Sequence, residues 1–167
     1  MATTYEAIAT VEVGSGGAAS ISFTSIPGTY TDLLIKLSAR GSASGNWIEL
    51  DAKFNASSSN FTSRYLYGFD TTIGSATYTD QIAWITGASA IASIFGNTEI
   101  YIPNYASANN KSVSADIVTE NNSVNGLNIL NAQLWSNSAA ITSIELTPTS
   151  GTLNQYSTAT LYGIKNS

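Results

Sequence analysis

The chain has 167 residues, no histidine, no cysteine and only 10% charged residues, whereas ordinary globular domains are about one-quarter charged. Histidine is the usual proton shuttle, and cysteine is a strong nucleophile and a soft metal ligand, so their absence disfavours most enzyme chemistry. The net charge is −5 and the six basic residues are scattered, which excludes a basic nucleic-acid surface.

Period-2 alternation of apolar and polar residues recurs along the chain and predicts strands. The first predicted strand covers residues 5–13, with its odd-numbered residues on one face. A short second strand turns Ile21 and Phe23 inward. Residues 31–40 alternate with the odd-numbered positions inward, and 47–54 with the even-numbered positions inward. Further strands are predicted over 62–69, 99–102, 112–118, 127–135, 141–146 and 157–164.

Segment 71–94 is the least regular part of the chain and predicts an excursion from the sheets. Residues 88–95 are the best helix candidate. They are a poor one, because no sustained 3.6-residue apolar stripe is present in the chain. The prediction is therefore an all-β, antiparallel β-sandwich of roughly nine to eleven strands, formed as a single domain over 1–167. No apolar run approaches the ~20 residues of a membrane span, and the first residues do not resemble a signal peptide.

Two carboxylates, Glu49 and Asp51, project from one face of the strand predicted over 47–54. A carboxylate pair is what a glycosidase needs, but the same spacing is typical of a solvated face on which Lys53 offsets the charge. We favour the solvated face, and the sequence predicts no catalytic, cofactor-binding or metal-binding residues. Without histidine, no group is expected to titrate near neutral pH, so association should change little between about pH 6 and 8.

Other acidic side chains, together with many asparagines, could supply oxygen ligands for calcium. They are Asp70, Asp80, Glu99, Asp116 and Glu120. No segment has the spacing of a calcium-binding loop, and turn formation by Asp and Asn is the favoured interpretation.

The aromatic residues have two possible interpretations. They pack in the core, or they form a surface that stacks on sugars or binds a protein. We predict that Trp135 and Tyr67 lie in the core. The choice stays open for Trp47, on the polar side of its strand, and for Trp84, in the irregular segment. The remaining members of the set are Tyr65, Tyr78, Tyr101 and Tyr105.

Three stretches resemble small virion proteins of tailed bacteriophages, many of them from aquatic hosts. They read YEAIATVEVGSGGAASISFTSIPGTYTDLLIKLSARG, NTEIYIPNYASANNKSVSADIVTENN and ITSIELTPTSGTLNQYSTATLYGIK. The resemblance implies a non-enzymatic structural component of the particle, often a jelly-roll-like β-sandwich, that trimerises on the capsid shell or sits in fibres and appendages. It brings no catalytic motif, so it assigns no functional residues.

From the resemblance and the composition we predict a capsid decoration (cement) protein on the virion surface. It would be a homotrimer that binds the major capsid protein, with no nucleic-acid or membrane partner and no cofactor. The alternative is a tail-fibre or appendage module that binds host surface glycans through exposed Trp and Tyr. A third hypothesis, a hydrolase using Glu49 and Asp51, is the least favoured.

Overall fold

The computed structural model describes residues 4–121 and 126–165. Over these residues the chain forms strands joined by turns and loops, with no helix and hence none that could cross a membrane. The strands are β1 (Tyr5–Glu12), β2 (Ile21–Phe23), β3 (Asp32–Ala39), β4 (Trp47–Phe54), β5 (Phe61–Phe69), β6 (Thr72–Tyr78), β7 (Gln81–Thr86), β8 (Gly96–Ile102), β9 (Lys111–Thr119), β10 (Leu127–Trp135), β11 (Ile144–Pro148) and β12 (Thr158–Ile164).

Eight of these strands form two facing four-stranded arrays, in the orders β1-β12-β3-β8 and β2-β11-β4-β7. Among these eight strands, consecutive strands lie in different arrays except β4 and β7, which pair within one array. All strand pairs are antiparallel. This nested order is that of a jelly roll, so the predicted jelly-roll-like sandwich is confirmed.

Two hairpins are inserted into the jelly-roll order, β5–β6 before β7 and β9–β10 after β8. They pair with each other through β5 and β10, and β9 pairs with β8. The first sheet therefore widens to eight strands, in the order β1-β12-β3-β8-β9-β10-β5-β6. We call β5, β6, β9 and β10 the extension.

The structure contradicts the predicted excursion over 71–94, because this segment contains β6 and β7. Strand β6 is mostly exposed and carries few apolar side chains, so it gives a weak strand signal. Strand β7 is buried on both faces from Ile82 to Thr86, and a strand covered on both sides does not alternate. These two strands account for the twelve found against the nine to eleven predicted.

The main core lies between the two arrays and is built from the alternation predicted for β3 and β4. Leu33, Ile35, Leu50 and Phe54 are all fully buried there. The prediction for β1 is wrong in its first half, because the register shifts between Ala7 and Ala9. As a result Ile8 and Val11 pack against the core, while Tyr5, Ala7 and Ala9 are exposed.

Strand β7 lies at an edge of its sheet, yet two of its carbonyl groups accept hydrogen bonds from side chains of the extension. The Gln81 carbonyl accepts hydrogen bonds from Ser63 Oγ (2.9 Å), Asn131 Nδ2 (3.2 Å) and Gln133 Nε2 (3.3 Å). Asn131 Nδ2 also donates to the carbonyl of Ile82 at 2.9 Å. Buried backbone groups need such partners, so these contacts fix the extension against β7.

At the end of β3, Arg40 was expected on the solvent face but is buried. Its guanidinium donates to the carbonyl groups of Ala88 (3.2 Å), Ala90 (2.9 Å), Ile91 (2.9 Å) and Ile94 (3.0 Å). One side chain thereby supplies donors for four carbonyl groups of the loop between β7 and β8. This is why residues 88–95 form an irregular loop and not the candidate helix.

Replacing Arg40 with Met should lower the free energy of unfolding by about 3 kcal/mol, because several carbonyl groups lose their donor in a buried site. Urea denaturation measures the loss. Arg64→Met is the matched control: Arg64 is exposed and, among the described residues, its guanidinium donates to Thr77 Oγ1 (2.8 Å), so a change below about 0.5 kcal/mol is expected. Equal losses in the two variants would contradict this role of Arg40.

Candidate binding surfaces

An aromatic cleft opens where the inner face of the extension covers β4 and β7. Trp47 and Glu49 of β4 and Trp84 of β7 form one wall, on the side of these strands opposite to the core residue Ile48. The cleft has a volume of about 150 Å³. The residues that line it are Trp47, Glu49, Tyr65, Tyr67, Phe69, Tyr78, Trp84, Leu127 and Ile129.

The rings of this aromatic cleft pack against each other in mutually inclined planes. Trp47 meets Phe69 edge-on, with 4.7 Å between ring centroids. Tyr65 packs edge-on against Trp84 at 4.6 Å and stacks on Tyr78 at 4.9 Å. Such edge-to-face and offset contacts are favourable, so the walls are held in place by their own packing.

The position of Tyr67 depends on a glycine in the neighbouring strand. Tyr67 pairs with Gly74 of β6, and a Cβ atom at Gly74 would lie 2.5 Å from the Cζ and Oη atoms of the Tyr67 ring. The absence of a side chain at Gly74 therefore lets the ring lie across β6.

Glu49 is the charged residue of the cleft lining, and no lysine or arginine joins it there. The nearest basic residue along β4, Lys53, donates to Glu145 Oε1 at 2.7 Å. That hydrogen bond lowers the pKa of the Glu145 carboxyl below its ordinary value. The cleft is thus an aromatic site with a negative charge at its wall.

Asp51 does not line the aromatic cleft, although it follows Glu49 by two residues. Its Oδ1 atom is buried and has no hydrogen-bond partner among the described residues. Burial, and then the charges of Asp80 and Glu49, raise the pKa of the Asp51 carboxyl to about 6. The prediction that no group titrates near neutral pH is therefore wrong for this residue.

Asp51→Asn should remove a pH-dependent loss of stability. The pKa of Asp51 is about 6 in the folded protein against an ordinary value of 3.8. A raised pKa means that the protonated group favours folding below pH 3.8 and that this contribution disappears as the pH rises through 6. Between pH 4 and 7.5 the free energy of unfolding of the variant should therefore rise by about 1 kcal/mol relative to that of wild type. The effect is small because solvent weakens it at a half-buried group.

Urea unfolding at several pH values measures this difference, with Asp116→Asn on an exposed face as the control. A wild-type minus Asp51→Asn difference that stays constant from pH 4 to 7.5 would contradict the assignment.

A second surface lies on the outer side of the extension, where the strands turn large apolar side chains to solvent. Leu66 of β5 is 61% exposed, and Leu130, its direct neighbour on β10, is 60% exposed. Ile73 of β6 is 88% exposed. We call this set the outer apolar face, and its members are Leu66, Ile73, Val118, Leu130 and Leu134.

Polar groups interrupt the outer apolar face at its sides. Leu130 has Leu66 on one side and Asp116 of β9 on the other. Arg64, which lies two residues before Leu66 on β5, is the direct neighbour of Ala132 on β10. Contiguous exposed apolar groups with a polar rim are typical of surfaces that bind another protein.

The structure decides between the alternatives left open for the aromatic residues. Trp135 is buried, as predicted, and Tyr67 is partly buried against the core while also lining the cleft. Trp84 is 4% exposed and forms the floor of the cleft, whereas Trp47 is half-buried at its wall.

Tyr101 and Tyr105 lie away from the aromatic cleft. Tyr101 donates to Asp32 Oδ2 at 2.8 Å, and buried Tyr105 donates to the Pro27 carbonyl. The acidic residues considered for calcium do not assemble: within residues 4–121 and 126–165, no three acidic side chains form a group that could hold a metal ion. Glu99 instead pairs with Lys36.

Sequence reasoning missed the outer apolar face. The signal was available in β10, where Leu130 and Leu134 alternate with Asn131 and Gln133. Alternation alone cannot say which of these two sets is buried, and the structure buries the amides.

No protein-family model matches the sequence, and a search of curated proteins gave no match. The resemblance of segments 5–41, 97–122 and 141–165 to phage virion proteins therefore remains a prediction.

Proposed function

We propose that this protein is a capsid decoration protein of a tailed phage, which binds the assembled head shell through its outer apolar face. The observation that carries the proposal is the pair Leu66 and Leu130, both largely exposed on the two middle strands of the extension. A protein with no further partner rarely exposes a contiguous apolar surface of this kind.

The rest of the surface supports the same proposal. Ser, Thr and Asn make up about one-third of the chain, and charged residues are only 10% of it. Hydroxyl and amide groups can make wet contacts that repeat many times on a symmetric shell without strong repulsion between copies. In this mechanism each copy, as part of a homotrimer, bridges neighbouring capsid subunits and opposes expansion of the shell.

Reconstruction of the whole particle tests the location, and density at regular positions on the head is the expected result. Density confined to the tail would refute the decoration role. The mass of the purified protein in solution tests the trimer, and a strictly monomeric mass at micromolar concentration would argue against it.

Leu66→Ser and Leu130→Ser should each weaken binding to particles that lack the protein by tenfold or more. Burial of a leucine side chain on docking is worth about 1.5–3 kcal/mol. Because both side chains are already exposed, the melting temperature should stay within a few degrees of wild type. Tyr156→Ser is the matched control, since Tyr156 is 64% exposed but lies in the loop between β11 and β12.

Cosedimentation with the particles measures this binding. If the Leu66→Ser and Leu130→Ser variants saturate the particles as wild type does, the outer apolar face is not the docking surface.

A second candidate function, a fibre or appendage module that binds host glycans, is favoured by the aromatic cleft. A glycan array with wild type and Trp47→Ala tests it. Trp47 is the better residue to truncate, because Trp84 is buried and its loss would remove packing between β7 and the extension. Binding that disappears in Trp47→Ala would support this role, and an array without signal would count against it.

A further inference from the structure

We propose that the aromatic cleft binds a quaternary ammonium group, such as that of choline, with the Glu49 carboxylate as its counter-ion. This inference concerns the ligand of the cleft and does not depend on the decoration role, which uses the opposite face of the extension.

Several rings that line the aromatic cleft are inclined to one another. Six of the nine lining residues are aromatic, and the edge-on contacts of Trp47 with Phe69 and of Tyr65 with Trp84 set neighbouring rings at 70° and 71°. These rings lie in different planes, and the face of each carries the negative part of its π-system. Organic cations are attracted to such faces, and aromatic enclosures of this kind are the usual means of recognising quaternary ammonium groups.

The wall of the aromatic cleft carries a negative charge, that of Glu49. Glu49 is half-buried in the cleft wall, and within the described part of the chain its Oε2 atom accepts one long hydrogen bond, 3.4 Å, from Thr149 Oγ1. Lys53 pairs with Glu145, and no basic side chain lines the cleft. A carboxylate in a partly desolvated aromatic site attracts a cation and repels anionic sugars or phosphates.

Size and polarity favour a cationic head group over a neutral sugar. A cleft of about 150 Å³ is smaller than the ~300–1,000 Å³ of most ligand sites, so it suits a compact group. A sugar needs several hydrogen-bonding partners around its ring. The lining offers one carboxylate and tyrosine hydroxyls among aromatic and aliphatic carbon, whereas a methylated ammonium needs no hydrogen bond.

One polar atom of the residues that line the cleft has no partner in the part of the chain that the structure describes. Tyr65 is 5% exposed, and its hydroxyl has no hydrogen-bond partner among the described residues. A buried hydroxyl without a partner is costly, and bonding to the hydroxyl of choline would remove that cost.

Isothermal titration calorimetry with choline chloride, at constant ionic strength, tests the proposal. The neutral isostere 3,3-dimethyl-1-butanol has the same shape without the charge and should bind at least tenfold more weakly. N-acetylglucosamine and glucose should not bind. Choline that binds no better than its isostere, or saccharide binding without choline binding, would overturn the proposal, and the latter would favour the glycan-binding function.

Variants locate the site. Glu49→Gln and Trp47→Leu should each weaken choline binding at least tenfold, and Glu49→Gln should keep the melting temperature of wild type because only a charge is removed. Leu130→Ser, on the opposite face of the extension, is the control and should bind choline as wild type does. A folded Glu49→Gln protein with unchanged choline affinity would refute the role of this carboxylate and with it the proposal.

A final arm separates a free ligand from a lipid head group. Cosedimentation with phosphatidylcholine vesicles that free choline reverses would assign the head group, with phosphatidylglycerol vesicles as the negative control. Choline binding without vesicle binding would assign a small free ligand.

Discussion

The structure depends on how the carbonyl groups of one edge strand, β7, are satisfied. An exposed edge would offer these groups to any other chain, and a buried edge without donors would be costly. Ser63, Asn131 and Gln133 supply the donors from the inner face of the extension. The jelly roll and its extension are thereby held together by hydrogen bonds as well as by apolar packing.

This contact creates both candidate surfaces. Because the inner face of the extension is turned towards β4 and β7, its aromatic side chains meet Trp47 and Trp84 and form the aromatic cleft. The other face is turned to solvent with Leu66 and Leu130, so it is free to bind a partner. The two proposals therefore use opposite sides of the extension, one for attachment and the other for a small ligand.

Much of the fold could be predicted from the sequence, but the candidate sites could not. Strands β3 and β4 alternate cleanly and were placed with the correct faces inward. Strand β7 has no alternation because both of its sides are covered, so its sequence predicts only an irregular segment. The sequence does not predict the raised pKa of Asp51, because that shift depends on burial and on the charge of Asp80, which is distant in the sequence.

By itself the sequence determined the all-β class, the approximate strand number and a weakly charged exterior, because alternation and composition are local properties of the chain. The tertiary structure decided which face of β10 is buried, where Asn131 and Gln133 turn inward and Leu130 turns outward. The reason is physical: an amide is buried only where a distant strand presents carbonyl groups to it. That pairing of remote segments, and not the pattern along β10, separates the aromatic cleft from the outer apolar face.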